Sequence, residues 1–177
     1  MQSSFDPCAG GDYESYLAEG SPELRLRQEQ AVATIRCSEA FLSGILAVEG
    51  PWTLAVFAET FCPDCVVTIP YVRTMELLQP RWTVRYFPRR GYENILRELT
   101  GDVGIPAVLA YNPAGLLSHI YVEFPSVLNK EWDTLESEAV EHRVRLFRAG
   151  MYRDVLEQAL LELVREVCWS RETAVPS

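Results

Sequence analysis

The sequence predicts a mixed α/β fold. Apolar runs with strand character alternate with segments whose apolar residues recur at helical spacing, and a late turn indicates a hairpin followed by a last helix. The chain has 177 residues, of which 48% are apolar and 23% are charged. This composition is typical of a globular protein that is long enough to bury a core. With a further helix counted as an insertion after the hairpin, the predicted order of elements in the main domain is β-α-β-α-β-β-α.

Two segments precede this domain. Residues 1–20 are rich in Gly, Ser, Asp and Glu, and we expect them to form an irregular arm. A Ser-Pro pair at residues 21–22 marks a helix start, because Ser is a good N-cap and Pro suits the first turn. One apolar helical face then continues to about Val48, where a Gly-Pro pair ends it. We therefore assign residues 21–50 to an N-terminal helical extension.

Residues 51–177 form the predicted α/β domain. Strands are predicted at 52–58, 82–87, 106–111 and 116–124, and helices from the cysteine pair to 79 and at 91–100, 127–149 and 152–168. Because a turn at 112–115 separates the last two strands, we expect them to form a hairpin. Gly150 fits as the C-cap of the helix at 127–149.

Two cysteines mark the point at which the first of these strands ends and a helix begins. They form the motif Cys62-Pro63-Asp64-Cys65. A helix N-terminus carries partial positive charge and free N–H groups, which stabilise a thiolate. Their spacing places both sulfurs on one helical edge, within reach of a disulfide bond. This arrangement favours redox chemistry.

The two residues between the cysteines differ in what they predict. Pro63 fixes φ in the first helical turn and makes the pair more rigid. The Asp64 carboxylate opposes a nearby thiolate but favours the helix N-terminus, so we expect partial cancellation. The alternative is that Asp64 is simply a solvated acid of the first turn.

From about residue 51 to residue 171, the chain resembles thioredoxin-fold proteins. The resemblance depends on the cysteine pair at a strand–helix turn, on Pro70 inside the next helix, and on Gly104-Ile105-Pro106. The separation of the last proline from Cys62 (106−62 = 44) is similar to that in thioredoxins. The last feature of the resemblance is the terminal hairpin followed by a helix. The motif is most similar to that of bacterial thioredoxin-family proteins that read Trp-Cys-Pro-Asp-Cys.

The resemblance implies a thiol–disulfide oxidoreductase with a thioredoxin fold, to which the N-terminal helix and the helix at 127–149 are additions. Cys62 would be the nucleophile and Cys65 the resolving thiol. A cis bond at Ile105–Pro106 would face them and leave the Ile105 backbone to pair with an extended substrate. The implied substrate-binding residues surround the cysteines: Phe61, Pro63, Asp64, Ile105 and Pro106. No cofactor is implied beyond the redox-active Cys62–Cys65 disulfide.

Two positions depart from the thioredoxin pattern. The aromatic residue before the first cysteine is Phe61 instead of Trp. Thioredoxins also bury an acid near the second cysteine, and the matching position here is Val56. Glu59 is the nearest upstream acid, and we expect it to face outward. These departures predict slow turnover and leave room for a specialised substrate.

Other readings of the cysteine pair remain open. A structural zinc site needs four ligands, whereas the chain has no second CxxC and only His119 and His142, which are isolated, so we favour no metal. An iron–sulfur cluster shared across a dimer is a further alternative. A thiol peroxidase usually has Thr three residues before its reactive Cys, but Thr60 lies two before Cys62. The last alternative is a redox-inert binding module.

Arg85, Arg89 and Arg90 follow one another near the end of the second strand. In a thioredoxin fold that end lies on the side of the cysteines, where these cations could lower the pKa of Cys62 or hold an acidic substrate. The alternative is a solvated run of charge.

The net charge of −9 argues against nucleic acid or an anionic membrane as a partner. The expected partners are instead a disulfide-containing protein or a small thiol, and a thiol reductant. The chain starts with no pattern typical of a signal peptide, so we expect a cytoplasmic location, where thiols stay reduced. Of the other cysteines, Cys37 and Cys168 are predicted to be buried apolar residues, and Cys8 to lie in the arm.

Overall fold

The computed structural model describes residues 5–165, and within this part eight helices and four strands build one sheet with helices around it. The elements are α1 Tyr13–Ala18, α2 Pro22–Thr34, α3 Glu39–Leu46, β1 Thr53–Phe57, α4 Pro63–Leu78, β2 Thr83–Phe87, α5 Glu93–Thr100, β3 Ala107–Tyr111, β4 Leu117–Val122, α6 Ser126–Trp132, α7 Ser137–Arg148 and α8 Arg153–Leu163. In the described part, no helix has both the length and the apolar character needed to cross a membrane.

The sheet has the strand order β2-β1-β3-β4 and mixed direction. β1 and β2 are parallel and are joined through α4, whereas β3 pairs antiparallel with both β1 and β4. The mixed α/β class and the β3–β4 hairpin are therefore confirmed. β1 and β3 lie in the middle of the sheet and are apolar and buried almost throughout, which explains why their sequences are continuous apolar runs.

Residues 5–20 differ from the irregular arm that the sequence predicted. Asp12 accepts a hydrogen bond from the Ser15 N–H and caps α1, whose Tyr13, Tyr16 and Leu17 are buried. Gly11 forms a β-bridge with Tyr86 of β2. The helix forms because a capping Asp precedes apolar residues spaced by three and four, and this face can cover the edge of the sheet.

Two of the long predicted helices are each divided into two. The helix predicted at 21–48 is interrupted at residues 35–38, where Ser38 caps α3 and its own N–H and hydroxyl donate to the buried Glu157 carboxylate of α8. The helix predicted at 127–149 is divided into α6 and α7. Gly150 follows α7 with a φ of 79°, in agreement with its predicted role in ending that helix.

The C-terminal predictions are covered only in part. α8 ends at Leu163, and the prediction for Cys168 lies outside the described residues. Cys37 is partly buried and Cys8 is exposed.

Candidate active site at the start of α4

The cysteine pair lies at the start of α4, after the turn that follows β1. Cys62 is the N-cap of α4, and its Sγ accepts a hydrogen bond from the Cys65 N–H at 3.4 Å. Pro63 occupies the first turn, where its missing N–H costs no helical hydrogen bond. Cys62 is 8% exposed and Cys65 is fully buried, and neither is in a disulfide. Cys62 is therefore the outer thiol of the two.

A second loop covers the outer thiol. The Ile105–Pro106 peptide bond is cis, as the sequence predicted. The Ile105 carbonyl oxygen lies 3.6 Å from the Cys62 Sγ and accepts its S–H. Ile105 and Pro106 are both buried against the start of β3. The fold thus brings Ile105, 43 residues away in sequence, to the nucleophile position.

The pKa values of the two thiols are shifted in opposite directions. The pKa of Cys62 is lowered to about 7, chiefly because the Cys65 thiol donates to its sulfur, and the backbone N–H groups of Cys65 and Asp64 add to this effect. Burial and the Asp64 charge act in the opposite direction. The pKa of Cys65 is raised well above its usual value, first by burial and then by its neighbour Cys62. This arrangement favours a thiolate on Cys62 and a thiol on Cys65.

Asp64 is not the solvated acid that one interpretation of the sequence predicted. Its carboxylate is engaged by Arg148, whose Nε donates to Oδ1 and whose Nη2 donates to Oδ2, each at 2.8 Å. The Asp64 side chain is only 10% exposed. Asp64, which lies between the two cysteines in sequence, therefore has a cation fixed on its carboxylate.

Val56 and Glu59, the two positions compared with the buried acid of thioredoxins, have different surroundings. Val56 is fully buried in β1, so the position of the thioredoxin acid is apolar here. Glu59 does not simply face outward: it is partly buried, and its Oε1 accepts the backbone N–H groups of Arg89 at 3.0 Å and Arg90 at 3.5 Å. It fixes a neighbouring loop.

The turn that leads into the cysteines is tied to the N-terminal extension. Arg27 of α2 donates from Nη2 to the carbonyl oxygens of Thr60 at 3.1 Å and Phe61 at 3.3 Å. The Phe61 side chain is 56% exposed at the edge of a surface groove of about 450 Å³. Arg89 and Arg90 line the same groove. The groove next to Phe61 thus combines an apolar contact with two cations.

The structure separates the predicted arginine cluster. Arg85 lies in the middle of β2, opposite Ala55, and its guanidinium donates to the Val84 carbonyl. Arg89 and Arg90 come after the strand, at the groove. The separation arises because each residue of a strand advances the chain by about 3.3 Å, so Arg85 lies well before the end of the strand.

Within residues 5–165, no three His, Cys, Asp or Glu side chains are grouped so that they could hold a metal ion. His119 lies in β4, where its Nδ1 is 2.9 Å from the Ser118 hydroxyl, and His142 lies on α7.

The fold and the cysteine pair at the start of α4 define a thioredoxin-like protein. A family model described as Thioredoxin matches residues 10–136, and the chain belongs to this family. A search of curated proteins finds no match to the sequence.

Two solved structures share the fold. The crystal structure of a protein of unknown function from Pseudomonas aeruginosa is 19% identical, with a TM-score of 0.74 over 93% of this chain and 98% of that one. The crystal structure of an HIV epitope scaffold is 17% identical, with a TM-score of 0.72 over 88% and 93% of the two chains.

Sequence reasoning missed three residues of the site: Arg148, Arg27 and Glu123. Arg148 and Arg27 act across 84 and 34 residues respectively, and each is one of many arginines on helix surfaces. Glu123 has a φ of 54° and packs against Gly104 in the loop before the cis-proline. An acid directly after a strand gives no signal of such a conformation.

Proposed function

We propose that this protein is a thiol–disulfide oxidoreductase that reduces a protein or small-molecule disulfide through Cys62 and Cys65. The observation that carries the proposal is the asymmetry of the pair. Cys62 has a lowered pKa at the start of a helix, while Cys65 is buried directly behind it with a raised pKa. Because of this difference in pKa, Cys62 would attack as a thiolate, while Cys65 would stay protonated until the second step.

The reaction begins when the Cys62 thiolate attacks one sulfur of the substrate disulfide. The substrate S–S bond breaks, a Cys62–substrate disulfide forms, and the other substrate sulfur leaves as a thiolate. Cys65 then attacks the Cys62 sulfur and its proton passes to a departing substrate thiolate. The products are the Cys62–Cys65 disulfide and a reduced substrate, so two electrons have moved from the pair to the substrate.

The surroundings of the pair suit a disulfide substrate. The Ile105 carbonyl, already hydrogen-bonded to Cys62, is a backbone acceptor next to the reacting sulfur. Phe61 offers an exposed apolar contact, and Pro63 is exposed beside it. Asp64 is less suited to direct contact, because both its oxygens are occupied by Arg148. In the proposed cycle no cofactor is needed beyond the redox-active disulfide.

A thiol reductant would restore the dithiol after each turnover. We propose a reducing compartment, the cytoplasm, because there the pair would be returned to the dithiol state. Neither a nucleic acid nor a membrane partner is part of this proposal.

Equilibration in a graded series of reduced and oxidised glutathione tests the function. Each sample is quenched by alkylation, and mass mapping reports the state of every cysteine. We expect Cys62 and Cys65 to pair reversibly at a defined potential, while exposed Cys8 forms at most a mixed disulfide with glutathione. If Cys62 and Cys65 stay unpaired across the series, the proposed function is wrong and a redox-inert module takes its place.

The peroxidase alternative gains no support from the position of Thr60. Thr60 is buried, and its hydroxyl packs against Gly20, where an added Cβ would meet Oγ1 at 2.5 Å. Adding hydrogen peroxide to the reduced protein is the matching control. We expect no saturable consumption of peroxide by Cys62 under conditions in which the disulfide exchange is complete.

A further inference from the structure

The Arg148–Asp64 ion pair joins the cysteine motif to a helix outside the matched part of the chain. The match to the thioredoxin family ends at residue 136, and α7 begins at Ser137. Arg148, the last residue of α7, forms two parallel hydrogen bonds of 2.8 Å to Asp64. Paired N–H donors on a carboxylate are among the strongest and most directional contacts of charged side chains.

The burial of Asp64 makes this contact more than a surface ion pair. Exposed pairs contribute little, because water already stabilises both charges. Here the Asp64 side chain is 10% exposed and that of Arg148 is 41% exposed. The carboxylate has lost most of its water, and the guanidinium supplies the two hydrogen bonds that replace it.

The end of α7 is held firmly enough to position a charge. Phe147, the neighbour of Arg148, is 1% exposed and packs edge-to-face on Phe124 with ring centroids 5.0 Å apart. Trp132 packs on the same Phe124 at 5.0 Å and on Tyr152, which lies just before α8. This aromatic cluster fixes the last turn of α7 beside α4.

Asp64 would otherwise work against the proposed chemistry. Its negative charge lies next to the sulfur that must become a thiolate, and it opposes that ionisation. Other titratable groups act on Cys62 as well, namely Cys65 on α4, Tyr16 on α1 and Arg148 itself on α7. Among these four groups, Arg148 alone is cationic.

We propose that Arg148 is a positioning residue of the cysteine centre, which holds the Asp64 carboxylate in one place and offsets its charge so that the Cys62 thiolate can form beside it. The inference rests on the proposed function, because it assigns a cause to the reactivity of the same thiol. It also gives the helix added after the family-matched region a role in that reactivity.

The pH dependence of Cys62 alkylation tests this role, followed by mass mapping in the full-length protein. In R148Q the midpoint should rise by about half a pH unit or more, because Asp64 is left without its cation. R148K keeps the charge but loses the paired geometry, so its midpoint should lie between those of R148Q and the wild type. R145Q, an exposed arginine one turn earlier on α7, is the matched control and should leave the midpoint unchanged.

A second pair of variants separates the carboxylate from other effects of Arg148. D64N should lower the midpoint, because the remaining cation then favours the thiolate. In D64N/R148Q the midpoint should return close to that of the wild type, since the carboxylate that opposes the thiolate and the cation that offsets it are then both absent. If R148Q does not fold, as judged by near-UV circular dichroism, the comparison of R148K with D64N/R148Q replaces it.

A folded R148Q with the wild-type midpoint would overturn the proposal, even if its melting temperature falls, because that result leaves Arg148 a structural role only. A folded D64N with the wild-type midpoint would overturn it as well, because Asp64 would then have no charge effect on Cys62 for Arg148 to offset. The alkylation midpoint can be measured whether or not Cys62 and Cys65 form a disulfide. Failure of this inference is therefore distinct from failure of the glutathione equilibration.

Discussion

The Cys65 thiol lies fully buried behind the Cys62 sulfur, which accepts the Cys65 backbone N–H at 3.4 Å and whose pKa is lowered first of all by the Cys65 side chain. The inner cysteine therefore stabilises the thiolate of the outer one before it takes part in any bond. This relationship separates the roles of two residues that the motif alone treats alike. It also makes the acidity of Cys62 depend on a side chain that can be replaced.

Removing the S–H donor of Cys65 should make Cys62 less acidic. In C65A the midpoint of Cys62 alkylation should rise from about 7 by about one pH unit. C65S is the matched control, because its hydroxyl can still donate and should keep most of the effect. A midpoint that stays near that of the wild type in C65A would show that the backbone N–H groups alone stabilise the thiolate.

Loss of Arg27 should loosen the turn that precedes the cysteines. R27Q removes a cationic donor from the Thr60 and Phe61 carbonyls, and we expect the free energy of unfolding in urea to fall by about 1 kcal/mol. Arg25 on the same helix makes exposed ion pairs with Glu14 and Glu29, so R25Q should cost less than about 0.5 kcal/mol. Equal losses from both variants would mean that α2 does not hold this turn.

Glu123 should make the protein less stable as the pH rises above the acidic range. Its pKa is raised by burial and, to a smaller extent, by the negative charges of Asp102 and Asp64. A raised pKa in the folded state means that stability is fully present below the unfolded value of about 4.3 and is lost as the pH rises through the folded value.

E123Q removes this loss, because its amide stays neutral. We expect E123Q to exceed the wild type by less than about 1 kcal/mol at pH 7, since Glu123 is only half-buried, and by nothing at pH 4. Urea unfolding at both values measures the difference, and E98Q on the exposed side of α5 is the control. An advantage of the same size at pH 4 would mean that charge is not the cause.

An acid at the Val56 position, where thioredoxins bury one, should destabilise this protein. Val56 is fully buried in β1, so V56D places a carboxyl without a partner in the core and should cost about 2 kcal/mol or more. Because burial raises the pKa of such a carboxyl, the loss should be smallest near pH 4 and should grow towards pH 8. V56A gives the cost of the cavity alone, which should not vary with pH. A flat V56D profile would show that the new acid reaches water or a partner.

Much of the site could be predicted from local patterns. The position of Cys62 and Cys65 follows from an apolar run that ends at a helix start. The cis bond before Pro106 was implied by the resemblance to thioredoxins, through a Gly-Ile-Pro segment at a typical separation from Cys62. The motifs themselves are each contained in a few adjacent residues. They required no knowledge of how distant segments pack.

The parts that were missed depend on tertiary contacts or on short caps. The helix predicted as one piece at 21–48 is broken because Glu157, 119 residues after Ser38, receives the Ser38 donors. The two effects of the Asp64 charge, on the thiolate and on the helix N-terminus, were expected to cancel in part, with a solvated acid as the alternative; the arginine that pairs with it is 84 positions away. Periodicity describes one face of one helix and carries no information about which helix covers it.

Trapping the intermediate tests the central claim most directly. C65S and C62S are each treated with oxidised glutathione at pH 7 and mapped by mass spectrometry, in a background in which Cys8 is replaced by Ser. We predict rapid formation of a mixed disulfide on Cys62 in C65S, and none on the buried Cys65 in C62S. A Cys62 that reacts no faster than an ordinary free thiol, or a Cys65 that reacts first, would contradict the assignment of nucleophile and resolving thiol.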